Sequence, residues 1–132
     1  MSEKSLDLAG TGSMVVDRLC STPRLIGADE KVLLRPDAQG RVVAQRVGGV
    51  MLNQLGWARL FGLRVGVFGT QADDADGRFL RRAMAELGIE TSLDLSGGAS
   101  SFAQIYVDPD GGRAIYMARG ATGELSASQI DA

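Results

Sequence analysis

Gly48-Gly-Val-Met-Leu-Asn-Gln-Leu-Gly-Trp-Ala-Arg-Leu-Phe-Gly-Leu-Arg-Val-Gly-Val-Phe-Gly-Thr-Gln-Ala-Asp-Asp-Ala-Asp-Gly77 reads as a glycine pair opening a helix, then a strand, then a carboxylate-rich turn into a second helix. Glycines at a helix start allow a ligand close to the backbone and leave N–H groups free. Asn53, early in that helix, can both donate to and accept from a hydroxyl. Apolar Leu52, Leu55, Ala58 and Leu60 fall near helical spacing from about Met51 to Phe61, and Gly62 is placed to end the helix. Arg64 to Phe68 is the following strand. Asp76 is placed to cap the second helix, whose apolar stripe is Phe79, Leu80, Ala83, Met84 and Leu87, with Gly88 as its stop.

Upstream, Leu6 to Ala9 is a short apolar segment running into Gly-Thr-Gly, the pattern of a buried strand and a turn. Asp17 follows shortly, inside Met-Val-Val-Asp-Arg-Leu. Between Lys31 and Val47, Lys-Val-Leu-Leu-Arg and Arg-Val-Val-Ala-Gln-Arg-Val flank Pro-Asp-Ala-Gln-Gly, which predicts a hairpin. Downstream, Ser101 to Val107 and Arg113 to Met117 flank Asp-Pro-Asp-Gly-Gly, a second hairpin signal. Ser126 and Gln129 have capping-box spacing, announcing a helix of which only Ile130 to Ala132 remain. Strand, helix, strand, helix implies a parallel α/β sheet covered on both faces; the hairpins imply a separate antiparallel element. So few parallel strands leave an open edge, and the chain looks like part of a larger domain.

Composition narrows the function. The 132 residues amount to one domain at most, and 45% hydrophobic content is enough for a core. Fourteen basic against sixteen acidic residues give a net charge of −2, which argues against nucleic acid and anionic membranes as partners. No apolar run approaches a transmembrane length, and the start lacks the layout of a secretory signal. Cys20 is the single cysteine, so a reducing, cytoplasmic setting fits. Absence of histidine removes a serine–histidine–aspartate triad and the commonest zinc ligand.

Several residues carry a plainer reading beside a functional one. Asp17 alone fits a solvated turn, and Asn53 alone fits a helix cap. Asp73, Asp74 and Asp76 read as caps rather than metal ligands. Arg78, Arg81 and Arg82 read as a solvated helix face; Cys20, Trp57 and Phe61 read as packing residues. Gly10-Thr-Gly-Ser-Met-Val after a strand suggests a dinucleotide fingerprint, but Val15 stands at the third glycine and no helix follows directly.

The chain resembles the ribokinase, or PfkB, family of carbohydrate and nucleoside kinases. The resemblance runs through the Leu6 strand, Gly12-Ser-Met-Val-Val-Asp17, the glycine pair with Asn53, Gly69-Thr-Gln-Ala-Asp-Asp-Ala-Asp-Gly77, the Asp108-Pro-Asp-Gly hairpin, and Gly120-Ala-Thr-Gly-Glu-Leu-Ser. It covers only the family's N-terminal part, so residues 1–132 would be the N-terminal part of a single ribokinase-like domain. The fold implied is a partial ribokinase-like one, a parallel α/β core with a small antiparallel β lid, whose strands fall at about 15–47 and 101–117. By the same likeness Asp17 would hold sugar hydroxyls, and Gly48, Gly49 and Asn53 would line the sugar pocket. Met51, Leu52 and Leu55 are bulkier than the family's usual residues there, and Ala72 stands where a glycine is common.

The activity implied is ATP-dependent phosphoryl transfer to a sugar or nucleoside hydroxyl. ATP and Mg2+ are implied by the resemblance alone, since the family's C-terminal Asp-Thr-x-Gly-Ala-Gly-Asp motif has no counterpart here, and no catalytic residue is assigned. A homodimer through the β lid is a further expectation. The alternative is a non-catalytic sugar-binding or dimerisation module built on the same fold.

Overall fold

The computed structural model describes residues 6–35 and 39–130. In chain order the elements are β1 (Leu8–Gly10), β2 (Val15–Ser21), β3 (Val42–Gly48), α1 (Val50–Leu60), β4 (Val65–Ala72), α2 (Ala75–Leu87), β5 (Glu90–Ser96), β6 (Ser101–Val107) and β7 (Arg113–Ala118). Short 3-10 turns follow at Ala121–Gly123 and Ala127–Gln129. Two sheets result: a parallel one ordered β1-β4-β5, and a four-stranded one ordered β3-β2-β6-β7. In the second sheet both outer pairs are antiparallel, while its central pair, β2 with β6, runs parallel.

The core explains the first sheet. Val65 and Val67 alternate onto one face of β4 and join Met51, Leu52 and Leu55 of α1 with Leu80 and Met84 of α2 in one cluster. Gly10, in register with Val67, lies against Met51 and Leu55, and Arg81 of α2 donates to Gln71, two pairs along β4 on the same face. Both helices therefore cover a single face, as right-handed crossovers stepping one way from β1 to β4 to β5 require. Coverage of both faces, expected from the alternation, is not found among the described residues. The other face carries Gly66 and Phe68 beside exposed Ser92.

The second sheet is partitioned by the pleat. Val16, Val47 and Phe102 pack against the core cluster, so the face they share with Arg18 and Gln104 turns toward the body of the molecule. Asp17, Leu19, Ala103, Ile105 and Met117 occupy the opposite face.

The hairpin expected across 31–47 is corrected. Strand β3 pairs with β2, from Val15↔Gly48 to Cys20↔Val42, and residues 31–35 form no strand. Lys-Val-Leu-Leu-Arg does not alternate, so it cannot present one apolar face, and Leu33 is 91% exposed. Part of the expected turn, residues 36–38, lies outside the described residues. The cap of α2 is Asp74, not Asp76: its extended backbone lets the carboxylate accept from Gly77 N at 2.7 Å. Leu60 and Leu87, placed in the apolar stripes by spacing, are exposed. Strand β5 is an addition, signalled by alternating Thr91, Leu93 and Leu95. The capping box at Ser126 and Gln129 forms, around a single 3-10 turn; residues 131 and 132 lie outside the described residues.

Candidate functional site

Strand β2 ends its buried start at Val16 and turns Asp17 to the open face. Its neighbour β3 leads directly into α1 through Gly48 and Gly49. A Cβ at Gly48 would stand 2.4 Å from the Asp17 carboxyl atoms, so the carboxylate lies over this glycine's Cα. Gly49 has φ +99°, and a Cβ there would be 2.2 Å from the carbonyl oxygen of Ser13. At Gly49 only glycine fits, for space and for backbone angle, whereas a side chain at Gly48 would displace the Asp17 carboxylate from its resting place. The pair draws the start of α1 against the β1–β2 connection.

Asp17 is half-buried, and none of the described residues gives its carboxylate a hydrogen bond or an ion pair. Burial without such donors raises its pKa above the ordinary 3.8. An acceptor in this state gains most from ligand donors, because a hydroxyl supplies the hydrogen bonds that water supplied before.

Gly49 caps α1 without any side-chain hydrogen bond to the first turn. Asn53 sits one turn on, its N–H donating to Gly49 O at 3.0 Å and its amide exposed. The cap reading of Asn53 is thus replaced by Gly49. The structure brings Asp17 and Gly48 into contact, places Gly49 beside them, and leaves the Asn53 side chain without a hydrogen bond to Asp17. Between the end of β1 and α1 runs a cleft of about 430 Å³, lined in part by Gly10, Thr11, Ser13, Met51 and Gln54. It runs along the length of β1 beside α1, and none of Asp17, Gly48, Gly49 and Asn53 lines it.

Two neighbours of Asp17 escaped the sequence reading. Arg46 is its cross-strand partner on β3, and Ala103 its partner on β6. Both share its face. The signal for them is strand register, which joins segments more than twenty residues apart and shows in no local motif.

The carboxylates at the start of α2 have structural duties. Asp74 accepts from Ser100 N at 2.8 Å and Ser100 Oγ at 2.6 Å in addition to Gly77 N. Desolvation is the largest single influence on its pKa and pushes it up, but these hydrogen bonds together carry it below 3.8. Asp76 pairs with Arg18, and Asp73 with Arg81 at 3.0 Å and with Arg78 at 3.7 Å. Arg78 and Arg82 are exposed, as a solvated helix face requires, while Arg81 departs from that reading: it is half-buried and also reaches Gln71. Among the described residues no group of three or more histidine, cysteine or acidic side chains is placed to hold a metal ion. No helix there is long and apolar enough to cross a membrane.

Comparison with known family models and with curated proteins yields no match. Solved structures do match. Ribokinase from Giardia lamblia superposes with a TM-score of 0.78 at 23% identity, over 96% of this chain and 37% of the other. Ribokinase from Cryptococcus neoformans var. grubii serotype A, crystallised with ADP, gives 0.74 at 21% identity, over 90% and 35%. Adenosine kinase from Sinorhizobium meliloti gives 0.72 at 22% identity, over 95% and 42%. The chain thus spans well under half the length of the kinases it matches. What the superpositions establish is architecture: the chain carries the ribokinase-like fold across the span it shares with these kinases.

Proposed function

We propose that this chain is the sugar-binding and lid-forming N-terminal part of an ATP-dependent kinase acting on a sugar or nucleoside hydroxyl. The observation that carries the reading is the half-buried Asp17 carboxylate, without a donor among the described residues and resting on Gly48 just before α1. Two adjacent hydroxyls of a polyol would satisfy it with charge-assisted hydrogen bonds. Gly48 and Gly49 keep side chains out of the approach, and Asn53 would orient further hydroxyls. The four-stranded sheet would be the lid that excludes water from the transferring phosphoryl group.

ATP and Mg2+ belong to this reading through the family resemblance and the ADP-bound relative. Magnesium–nucleotide sites take one or two carboxylates together with the phosphates, and in this reading the residues that supply them are expected outside residues 1–132. No step is therefore drawn through either group. The chain by itself is expected to bind ATP weakly and not to turn over; sugar-dependent ADP release at about 1–100 per second would contradict this.

Isothermal titration with pentoses, hexoses and nucleosides tests the site. Asp17→Asn should weaken any binding about 10- to 100-fold, the worth of hydrogen bonds to a charged group. Unchanged affinity would remove Asp17 from the site. A second reading, a non-catalytic module acting by association, draws on both edges of the four-stranded sheet. Val43 on β3 is 62% exposed, and Tyr116 and Met117 on β7 are 66% and 68% exposed. Pairing of two such lids would make a homodimer.

A further inference from the structure

Arg46 and Asp17 stand directly opposite each other on β3 and β2 and project from the same face. Opposite charges so placed ordinarily pair. Here they do not: the Asp17 carboxylate leans over Gly48, and among the described residues Arg46 is exposed and takes part in no ion pair or hydrogen bond. On the far side of Asp17 the row continues with buried Ala103 and exposed Met117, so the face offers a cation, a hydroxyl acceptor and, two strands on, an apolar side chain.

We propose that the ligand of this face is a polyol bearing an anionic group, with Arg46 binding that group while Asp17 binds hydroxyls. The inference rests on the polyol reading of Asp17 given above and adds the substrate's charge. Guanidinium is suited to the task because its planar fork matches either a carboxylate or a phosphate with two parallel N–H donors. An unpaired arginine next to an unneutralised carboxylate also selects against simple anions, which Asp17 would repel, and against simple cations, which Arg46 would repel. A molecule carrying hydroxyls at one end and negative charge at the other satisfies both. The plainer duty for Arg46 is to keep the β3 edge from pairing with other chains.

Titration calorimetry on the full chain separates these. The panel comprises glucose, gluconate and glucose 6-phosphate, with ribose and ribose 5-phosphate as the shorter pair. Gluconate and the phosphates distinguish a carboxylate from a phosphate as the recognised group. In wild type at least one anionic member should bind about tenfold or more tighter than its neutral counterpart, and Arg46→Gln should cut that preference by the same factor. Arg46→Lys should restore part of it, and Arg113→Gln, at the far end of the same face, should leave the ratio where it was. A ratio indifferent to Arg46→Gln, with Asp17→Asn still weakening binding about 10- to 100-fold, overturns the charge assignment alone. Affinity unchanged by Asp17→Asn, or no binding by any member, overturns the polyol site itself. Thermal unfolding of each variant confirms that the proteins compared are folded.

Discussion

Asp17 shows how one side chain trades folding for binding. Its pKa is raised by burial, so the folded chain holds this proton more tightly than the unfolded chain. Between the ordinary 3.8 and the raised value, stability therefore falls as pH rises, and above that window the ionised group weighs against folding. Asp17→Asn should accordingly raise the urea midpoint at pH 7 while losing ligand affinity, a combination that urea titration and calorimetry check together. Gly49→Ala should do the reverse of a benign change: a Cβ 2.2 Å from Ser13 O at φ +99° forces the backbone apart. A loss of about 2 kcal/mol or more is expected in equilibrium unfolding. The glycine pair was legible in the sequence, because a diglycine before an apolar periodic run is a local signal; Asp17, which alone reads as a turn residue, lies inside β2. Arg46 was not legible, since its place beside Asp17 depends on a pairing that local patterning assigned elsewhere.

At the scale of elements, α2 was the most legible because stripe and stop residue agree, yet its true cap lay two residues earlier. Asp74 wins over Asp76 because only it reaches both Gly77 N and Ser100. Its lowered pKa means that its contribution is complete above 3.8 and is lost as pH falls through the lowered value. Asp74→Ala should cost about 1–2 kcal/mol at pH 7 and flatten the loss of stability on acidification, read by urea titration across pH. Leu80→Ala, removing a side chain with 0% exposure from the α2 stripe, should cost about 2–5 kcal/mol by the same assay. Strand pairing was harder to foresee. The hairpin at β6–β7 is local and its turn residues announce it, whereas β2 joins two strands distant in sequence, and β5 is a mostly exposed strand with weak alternation.

The whole molecule is two sheets that share one hydrophobic core, with Val16 of β2 inside it and Val47 and Phe102 packed against it. Arg18 reaches across from the second sheet to Asp76 on α2 while its guanidinium lies 4.6 Å from the Phe102 ring centre. This clamp fixes the inner face of the would-be lid to the helical layer, and the outer face stays open. Open edges and exposed apolar side chains predict association: sedimentation velocity should show concentration-dependent dimers, and Tyr116→Lys with Met117→Lys on β7 should shift them to monomer. A monomer at all concentrations would refute pairing through this sheet. The α/β class and the separate small sheet were readable from element alternation, but single-face coverage of the parallel sheet was not, because crossover handedness acts on strand order. One further property follows from Cys20, which is the chain's single thiol, is 1% exposed on β2, and accepts from Gln104 Nε2 at 2.9 Å. Its alkylation rate is consequently a built-in clock for how often the middle of that sheet breathes open, and a ligand that shuts the sheet down should slow the clock.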